Sequence, residues 1–190
     1  MRIVGGRHRG RRLIVPSGDA VRPTSDRARE ALFNILSHGD FAAAGSPFAD
    51  ENVLDAFAGT GALGIEALSR GAARAAFIET DRTALAALRR NLAALDETDA
   101  ADVVAGDATR PPRAPFAAAM AFLDPPYRSG LAASALEALA RAGWLAPRAL
   151  TIIEIAAKEP FSPPPGFAMI DERRYGAARL VFLRRTSGAP

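Results

Sequence analysis

The chain contains no cysteine and only two histidines, at positions 8 and 38. It therefore cannot form a disulfide or hold a metal through thiolates, and two imidazoles are too few for the usual structural or catalytic zinc sites. We expect a protein without a metal centre.

Long apolar runs are absent as well. No uninterrupted apolar segment reaches the roughly 18 residues that a membrane-spanning helix needs, and the first residues lack the apolar core of a signal peptide. We expect a cytoplasmic protein that does not associate with membranes. Its 190 residues suit one α/β domain with a core large enough to fold alone, and we expect a monomer.

Lysine is nearly absent too, since Lys158 is the only one, and the positive charge is unevenly placed. Residues 1–30 carry a net charge of +5, whereas the remaining residues sum to −2. Residues 2–4 and 13–15 are predicted to pair as a hairpin whose turn runs from Gly5 to Arg12. A phosphate-binding RNA surface is predicted from the basic side chains Arg2, Arg7, His8, Arg9, Arg11 and Arg12. The alternative is a solvated arginine-rich arm.

A glycine-rich turn organises the middle of the chain. Gly59, Gly61 and Gly64 are spaced as G-x-G-x-x-G, between an apolar strand that begins at Val53 and a helical period that continues to Arg70. Glycines at a strand-to-helix turn let a nucleotide-like cofactor approach the backbone closely. The bare pattern also occurs in ordinary tight turns.

Two acids near this turn narrow the choice of cofactor. Glu79 ends the next apolar strand, where a carboxylate can accept both hydroxyls of a ribose. Asp55 lies just ahead of the glycines and would repel a pyrophosphate, which argues against NAD or FAD. The cationic sulfonium and ammonium of S-adenosylmethionine suit it better. The alternative for Asp55 is an acid that only ties down N–H groups of the loop.

The second informative stretch runs from Phe122 to Tyr127, Phe-Leu-Asp-Pro-Pro-Tyr. A central strand is predicted to end in Asp124, and the two prolines remove two donors and fix the backbone that follows. The Asp124 carboxylate and the Pro125 carbonyl are then placed to accept the two N–H groups of an exocyclic amine. Tyr127 is placed to stack on the base. A strand that simply stops at Pro125 and Pro126 is the alternative.

Taken together, these motifs resemble those of the RsmD family of class I S-adenosylmethionine-dependent methyltransferases. Further segments carry the likeness: residues 2–6, 9–11, 22–27, 29–30, 33–34 and 61–71. The resemblance implies methyl transfer to N2 of a guanine in 16S ribosomal RNA, with guanine 966 as the family's target, in an assembling small ribosomal subunit. It also implies cofactor-binding roles for the remaining residues of the motifs: Phe57, Thr60, Thr80, Asp107 and Ala108. Asp107 would accept from the adenine amine, or else cap its own turn.

The predicted fold is a three-layer α/β sandwich with a Rossmann-like, seven-stranded, mostly parallel sheet. Residues 1–40 form a basic N-terminal extension, hairpin plus helix, and residues 50–186 form the methyltransferase domain. The extension helix is predicted to begin at a cap in residues 24–26 and to end near Ser37. Its Arg27, Glu30 and Asn34 either touch the cofactor or form a plain surface. Further helices are predicted at 81–95 and 131–141, and strands at 75–78, 103–105, 117–123, 150–155, 169–175 and 178–184.

Three other functions are compatible with the same motifs. The chain resembles enzymes that methylate adenine N6 in DNA or RNA, or a glutamine amide in a protein, and it could be a non-catalytic ribosome-assembly protein. DNA adenine enzymes usually carry a target-recognition domain, for which this chain has too little spare length.

Overall fold

The computed structural model describes residues 1–16, 26–38, 41 and 46–186, with residues 26–28 described in their backbone alone. Its helices are α1 (Asp26–Leu36), α2 (Ala62–Ser69), α3 (Arg82–Ala94) and α4 (Leu131–Arg141), with a 3-10 turn at Thr98–Ala100. The strands are β1 (Asn52–Ala56), β2 (Arg74–Glu79), β3 (Ala101–Ala105), β4 (Ala118–Leu123), β5 (Leu145–Ala156), β6 (Phe167–Tyr175) and β7 (Ala178–Arg185). Among the described helices, none has the length and apolar character needed to cross a bilayer.

All seven strands form one sheet in the order β3-β2-β1-β4-β5-β7-β6. Strands β1 to β5 run parallel, and β7 pairs antiparallel with both β5 and β6. The tight hairpin between β6 and β7 brings Tyr175 opposite Ala178. The predicted seven-stranded, mostly parallel sheet is confirmed.

The two faces of the sheet bury different sets of side chains. Because successive residues of a strand point to opposite faces, Val53 packs with α2 and α3, whereas its neighbour Leu54 packs with α4. Phe77 and Ile78 divide in the same way. The molecule thus has three layers: α1, α2 and α3 on one face, the sheet, and α4 on the other.

Strand β5 is longer than predicted. The apolar run from Leu150 is paired as expected, but the strand already begins at Leu145, and its pairing with β4 shifts register between Ala118 and Met120. Arg148 has φ 62° next to a proline, Pro147. A proline and a residue in the left-handed conformation are typical of an irregular strand. They interrupt the apolar pattern, so the sequence did not predict the first part of β5.

The predicted N-terminal hairpin exists, with different boundaries. Arg2 and Arg12 form an antiparallel bridge, and the amide of Ile3 donates to the Arg11 carbonyl at 2.9 Å. Arg11 and Arg12 therefore belong to the paired arm, and the turn proper ends at Gly10, whose amide donates to the Ile3 carbonyl. Ile3 and Leu13 are buried and join the core on the α2 and α3 face.

The hairpin turn is docked on the domain by specific polar contacts. The amide of Arg7 donates to the Ser69 carbonyl at 2.7 Å, and the amide of His8 donates to Ser69 Oγ at 2.9 Å. The Arg7 guanidinium forms two hydrogen bonds with the Glu97 carboxylate, and His8 Nε2 lies 2.5 Å from Glu97 Oε1. Glu97 is only 4% exposed, so Arg7 and His8 supply the partners that a buried carboxylate requires.

Helix α1 and the segment after it also join this core. Phe33 packs between Phe48 and Phe122, with ring centroids 5.4 and 5.6 Å away. In the segment after α1, Phe48 is fully buried and Phe41 stacks on Phe182. The predicted cap residues Thr24 and Ser25, and Arg22 of the family motif, lie outside the described residues.

The docking of the hairpin predicts a large difference between two glycines that share one backbone conformation. Gly6 and Gly10 have φ 72° and 85°, so alanine is strained at either position. A Cβ at Gly6 would also overlap the Ser69 carbonyl oxygen, whereas a Cβ at Gly10 would meet no atom within 4 Å. Gly10→Ala should cost about 1 kcal/mol of unfolding free energy, and Gly6→Ala roughly 2 kcal/mol more, because the turn must lift off.

Urea denaturation of both variants measures this difference, and limited proteolysis reports whether residues 1–16 come loose. Equal losses of stability for the two variants would contradict the docked turn.

Candidate active site

The carboxyl ends of four neighbouring strands meet in one row, and backbone hydrogen bonds hold the segments that follow them together. The amide of Ala58, after β1, donates to the Ile78 carbonyl of β2 at 3.0 Å. The amide of Gly106, after β3, donates to the Glu79 carbonyl at 2.9 Å. The amide of Asp124, after β4, contacts the Ala56 carbonyl at 3.4 Å. Ligands bind at the carboxyl ends of the strands in sheets of this kind.

The glycine loop has one side against the core and one side open. Gly64, in the first turn of α2, packs so closely on β2 that a Cβ there would overlap the Phe77 ring. Gly59 has φ 55°, and a Cβ there would meet no atom within 4 Å. A ligand can therefore lie directly on the backbone at Gly59, as the glycine motif predicted. Phe57, partly exposed with φ 61°, begins this loop in a conformation that aromatic residues seldom adopt.

Glu79 joins this loop to the start of α3. Its Oε2 accepts from the Gly59 amide at 2.7 Å, and its Oε1 accepts from the amides of Thr80 and Asp81, each at 2.7 Å. The side chain remains partly exposed. Because Oε2 accepts one bond of the two that a carboxylate oxygen can take, it retains capacity for a ligand hydroxyl. The carboxylate is thus held rigidly beside the open face of Gly59.

Asp55 lies beneath the loop. It is 1% exposed, and its Oδ2 accepts from the amide of Gly64 at 2.8 Å. Burial raises the pKa of Asp55 to about 8, against the lowering effect of that hydrogen bond, and the nearby charge of Glu79 raises it further. The structure therefore shows Asp55 accepting from the N–H group of Gly64, as the alternative prediction for this residue had it. The charge argument against a dinucleotide is weakened, because the raised pKa of Asp55 favours the uncharged carboxyl.

The other predicted cofactor residues differ in exposure. Thr60, Gly61 and Ala108 are buried, and Thr80 is exposed beside Glu79. Asp107 accepts from the amide and the hydroxyl of Thr109, both at 2.8 Å, and these bonds are the main reason that its pKa is lowered. Asp107 therefore caps its own turn at the end of β3, and a contact with adenine remains a prediction.

The Asp-Pro-Pro-Tyr loop lies at the end of β4, the strand next to β1. Asp124 is partly buried and Pro125 is buried, while Pro126 is exposed. The Pro126 carbonyl accepts from the Ser129 amide at 3.2 Å, which closes the loop as a turn. The Tyr127 hydroxyl donates to Glu154 on β5 at 2.7 Å. Glu154 thus fixes the tyrosine ring beside Asp124, a role that the sequence analysis missed.

A second residue that the sequence analysis missed is Asn91 on α3. It is 2% exposed, its Oδ1 accepts from the Ile14 amide at 2.7 Å, and its Nδ2 donates to the carbonyls of Ile14 and Thr60, each at 3.1 Å. One side chain therefore joins the N-terminal arm to the glycine loop. The available signal was a polar residue on the apolar face of α3, three positions after Leu88.

The predicted RNA-binding residues fall into two groups. Arg7 and His8 contact Glu97, and the Arg11 guanidinium donates to the Ala94 carbonyl at 2.9 Å. The side chains of Arg9 and Arg12 are exposed and make no hydrogen bond or ion pair with any described residue. The side chain of Arg2 is exposed as well, while its carbonyl accepts from the buried Arg29. On α1, Glu30 and Asn34 are exposed.

Known proteins are similar to this chain in sequence and in structure. The chain is 42% identical over 154 residues to ribosomal RNA small subunit methyltransferase D of Escherichia coli, which covers 81% of this chain and 74% of that protein. The solved structure of the yhhF protein of Escherichia coli matches with a TM-score of 0.83 and 38% identity, over 99% of both chains. An RNA methyltransferase from Salinibacter ruber in complex with S-adenosyl-L-homocysteine, at 15% identity, shares the fold with a TM-score of 0.65 over 89% of this chain and 97% of that one.

A family model described as conserved hypothetical protein 95 matches residues 1–184, nearly the whole chain. The likeness thus includes both the docked N-terminal hairpin and the row of strand ends. The chain belongs to this family, the RsmD family of ribosomal RNA small subunit methyltransferases.

Proposed function

We propose that the protein transfers a methyl group from S-adenosylmethionine to the exocyclic N2 of a guanine in small-subunit ribosomal RNA, with guanine 966 of the 16S RNA as the family's target. The observation that carries the proposal is the juxtaposition at the ends of β1, β2 and β4. The open face of Gly59 and the fixed carboxylate of Glu79 lie on one side, and the Asp124 loop lies on the other.

The residues at β1 and β2 suit the adenosine part of this cofactor. Glu79 Oε2 is positioned to accept from a ribose hydroxyl, and Gly59 leaves room for the ligand against the backbone. Asp55 keeps the first turn of α2 in place from below through Gly64. When bound, S-adenosylmethionine supplies a methyl group already activated by a positive sulfur, so the protein's task is mainly positioning.

The residues at β4 suit the acceptor. Asp124 is placed to accept from the amine that is to be methylated and to take its proton after transfer. The Pro125 carbonyl is a second acceptor, because the Pro126 carbonyl is already used within the turn. Tyr127, held by Glu154, presents a ring on which the base can stack. A guanine inside a stacked helix cannot reach this loop, so the target base must come from a loop or be flipped out.

The experiment that tests the function is a comparison of ribosomal RNA from cells with and without this protein. Digestion to nucleosides and mass spectrometry should show one N2-methylguanine that disappears with the protein and returns when the gene is restored. Loss of N6-methyladenine instead would support the adenine alternative. An unchanged set of modified bases would contradict the proposal.

The raised pKa of Asp55 predicts how stability depends on pH. Because the folded-state pKa is about 8 and the ordinary value is 3.8, the folded protein holds an extra proton between these values. Its stability is therefore greatest below pH 4 as far as this group is concerned, and falls as the pH rises toward 8. Asparagine can still accept from the Gly64 amide but cannot ionise. Asp55→Asn should flatten this dependence.

Urea denaturation of wild type and Asp55→Asn at pH 5 and pH 8 measures the effect. The two proteins should differ in how much stability they lose between these pH values. The same loss in both would show that Asp55 is not the titrating group.

The contacts of the hairpin separate the arginines that dock it on the domain from those that we propose bind RNA. Arg9→Ala with Arg12→Ala should lower the log–log salt slope of RNA binding by up to about two, since each arginine that neutralises a phosphate releases about one counterion. Stability and cofactor affinity should stay as in wild type. Arg7→Ala, by contrast, leaves the buried Glu97 without one partner and should cost roughly 1 to 3 kcal/mol of unfolding free energy.

Fluorescence anisotropy with labelled RNA at several salt concentrations gives the slopes. If the Arg9 and Arg12 variant keeps the wild-type slope, the hairpin is a solvated arm and the RNA docks on another face.

A further inference from the structure

A cleft of about 720 Å³ opens next to the Asp-Pro-Pro-Tyr loop. Its walls are the residues that follow Tyr127, the end of β5 and the turn between β6 and β7. The lining residues are Arg128, Gly130, Ala156, Ala157, Lys158, Glu159, Pro160, Gly176 and Ala177. None of the residues assigned to the cofactor or to the acceptor amine lines this cleft.

The order of the strands places the cleft on one side of the reacting centre. The glycine loop follows β1, Glu79 ends β2, the Asp124 loop follows β4, and the cleft lies at the end of β5 and the start of β7. Asp124 therefore stands between the surface that suits the cofactor and the cleft. A strand of RNA that delivers a base to Asp124 can continue into the cleft without crossing the cofactor surface.

The cleft combines two cations with a small apolar floor. The side chains of Arg128 and Lys158 are exposed, and neither charged group makes a hydrogen bond or ion pair with any described residue. The floor is made of alanines, glycines and Pro160, and a Cβ at either Gly130 or Gly176 would meet no atom within 4 Å. Such a surface has room for a flat base or a sugar, with positive charge at its rim for a phosphate.

The acid in the lining serves the backbone. Glu159 Oε2 accepts from the amides of Arg128, at 2.8 Å, and Ala156, at 3.3 Å. The Glu159 carbonyl accepts from Arg179 of β7 at 2.5 Å. These bonds hold Arg128 at φ 59°, a left-handed conformation that costs an arginine of order 1 kcal/mol. The fold thus fixes the cation directly after Tyr127 at the mouth of the cleft.

We propose that this cleft is a binding subsite for the nucleotide next to the target guanine in the RNA strand. Arg128 and Lys158 contact its phosphate, and the floor of Ala156, Ala157 and Pro160 receives its sugar and base. The inference rests on the proposed function and adds a second RNA contact to that of the hairpin. Charge complementarity favours a polyanion, because the lining has two cations whose charged groups are unpaired among the described residues, while its one acid, Glu159, accepts from backbone amides.

The test uses the full chain with Arg128→Ala and Lys158→Ala combined, and small-subunit RNA from cells that lack the protein. We expect KM for RNA to rise about tenfold and the salt slope of RNA binding to fall by up to about two. The turnover number at saturating RNA and the affinity for S-adenosylmethionine should remain within about twofold of wild type, since neither cation lies at the cofactor surface.

Arg113→Ala with Arg141→Ala is the matched control. This variant also removes two positive charges, but near the amino ends of β4 and β5, where the Ala114 amide donates to the Ala142 carbonyl. KM and the salt slope should stay as in wild type. A second variant, Ala177→Glu, places a negative charge in the exposed lining and should raise KM further. Thermal unfolding confirms that each variant is folded.

The outcomes separate this inference from the function on which it rests. Wild type that fails to methylate any of these RNAs contradicts the proposed function. Wild type that methylates RNA, together with a double variant that keeps the wild-type KM and salt slope, overturns the subsite. An equal change in the control variant also overturns it, because the effect would then come from net charge and not from the cleft.

Discussion

The site depends above all on the carboxylate of Glu79, which is held by backbone amides from two separate segments. Gly59 of the glycine loop and Thr80 and Asp81 of the turn into α3 all donate to it. These amides lie at the open edge of the sheet, where the strand ladder can no longer supply acceptors, and polar backbone groups require partners. By satisfying them, Glu79 fixes the glycine loop relative to α3. The same carboxylate remains partly exposed beside the loop, so the group that builds the site can also bind its ligand.

Under the proposed function, the two sides of the row of strand ends have separate tasks. The β1 and β2 side offers rigid backbone and a fixed carboxylate, and the β4 and β5 side offers Asp124, a tyrosine held by Glu154, and the cleft beyond. Asn91 links the glycine loop to the N-terminal arm through Thr60 and Ile14. The hairpin that we propose binds RNA is therefore part of the domain's packed structure, held at Glu97 and Ser69, and keeps a fixed orientation toward the site.

Most of the fold could be predicted because local signals agreed with tertiary structure. Leu131 to Arg141 and Ala178 to Arg184 have clear periods, and the observed α4 and β7 match them to within one residue. The motifs also placed Asp55, Glu79 and Asp124 at the strand ends. The burial of Arg29, the docking of Arg7 and His8 on Glu97, and the tie from Asn91 could not be predicted. Each depends on a partner more than 25 positions away, and nothing in the local sequence distinguishes a docked arginine from a solvated one.

The measurement that tests the central claim most directly is a comparison of cofactor binding and methyl transfer in Asp124→Ala. If the cofactor binds over β1 and β2 and the acceptor amine binds at Asp124, calorimetry should give an affinity for S-adenosylmethionine within about twofold of wild type. Transfer to RNA should fall by a factor on the order of 10² or more, the scale of a lost group that orients the reacting atoms. Loss of cofactor binding, with transfer per bound enzyme retained, would contradict this division of the site.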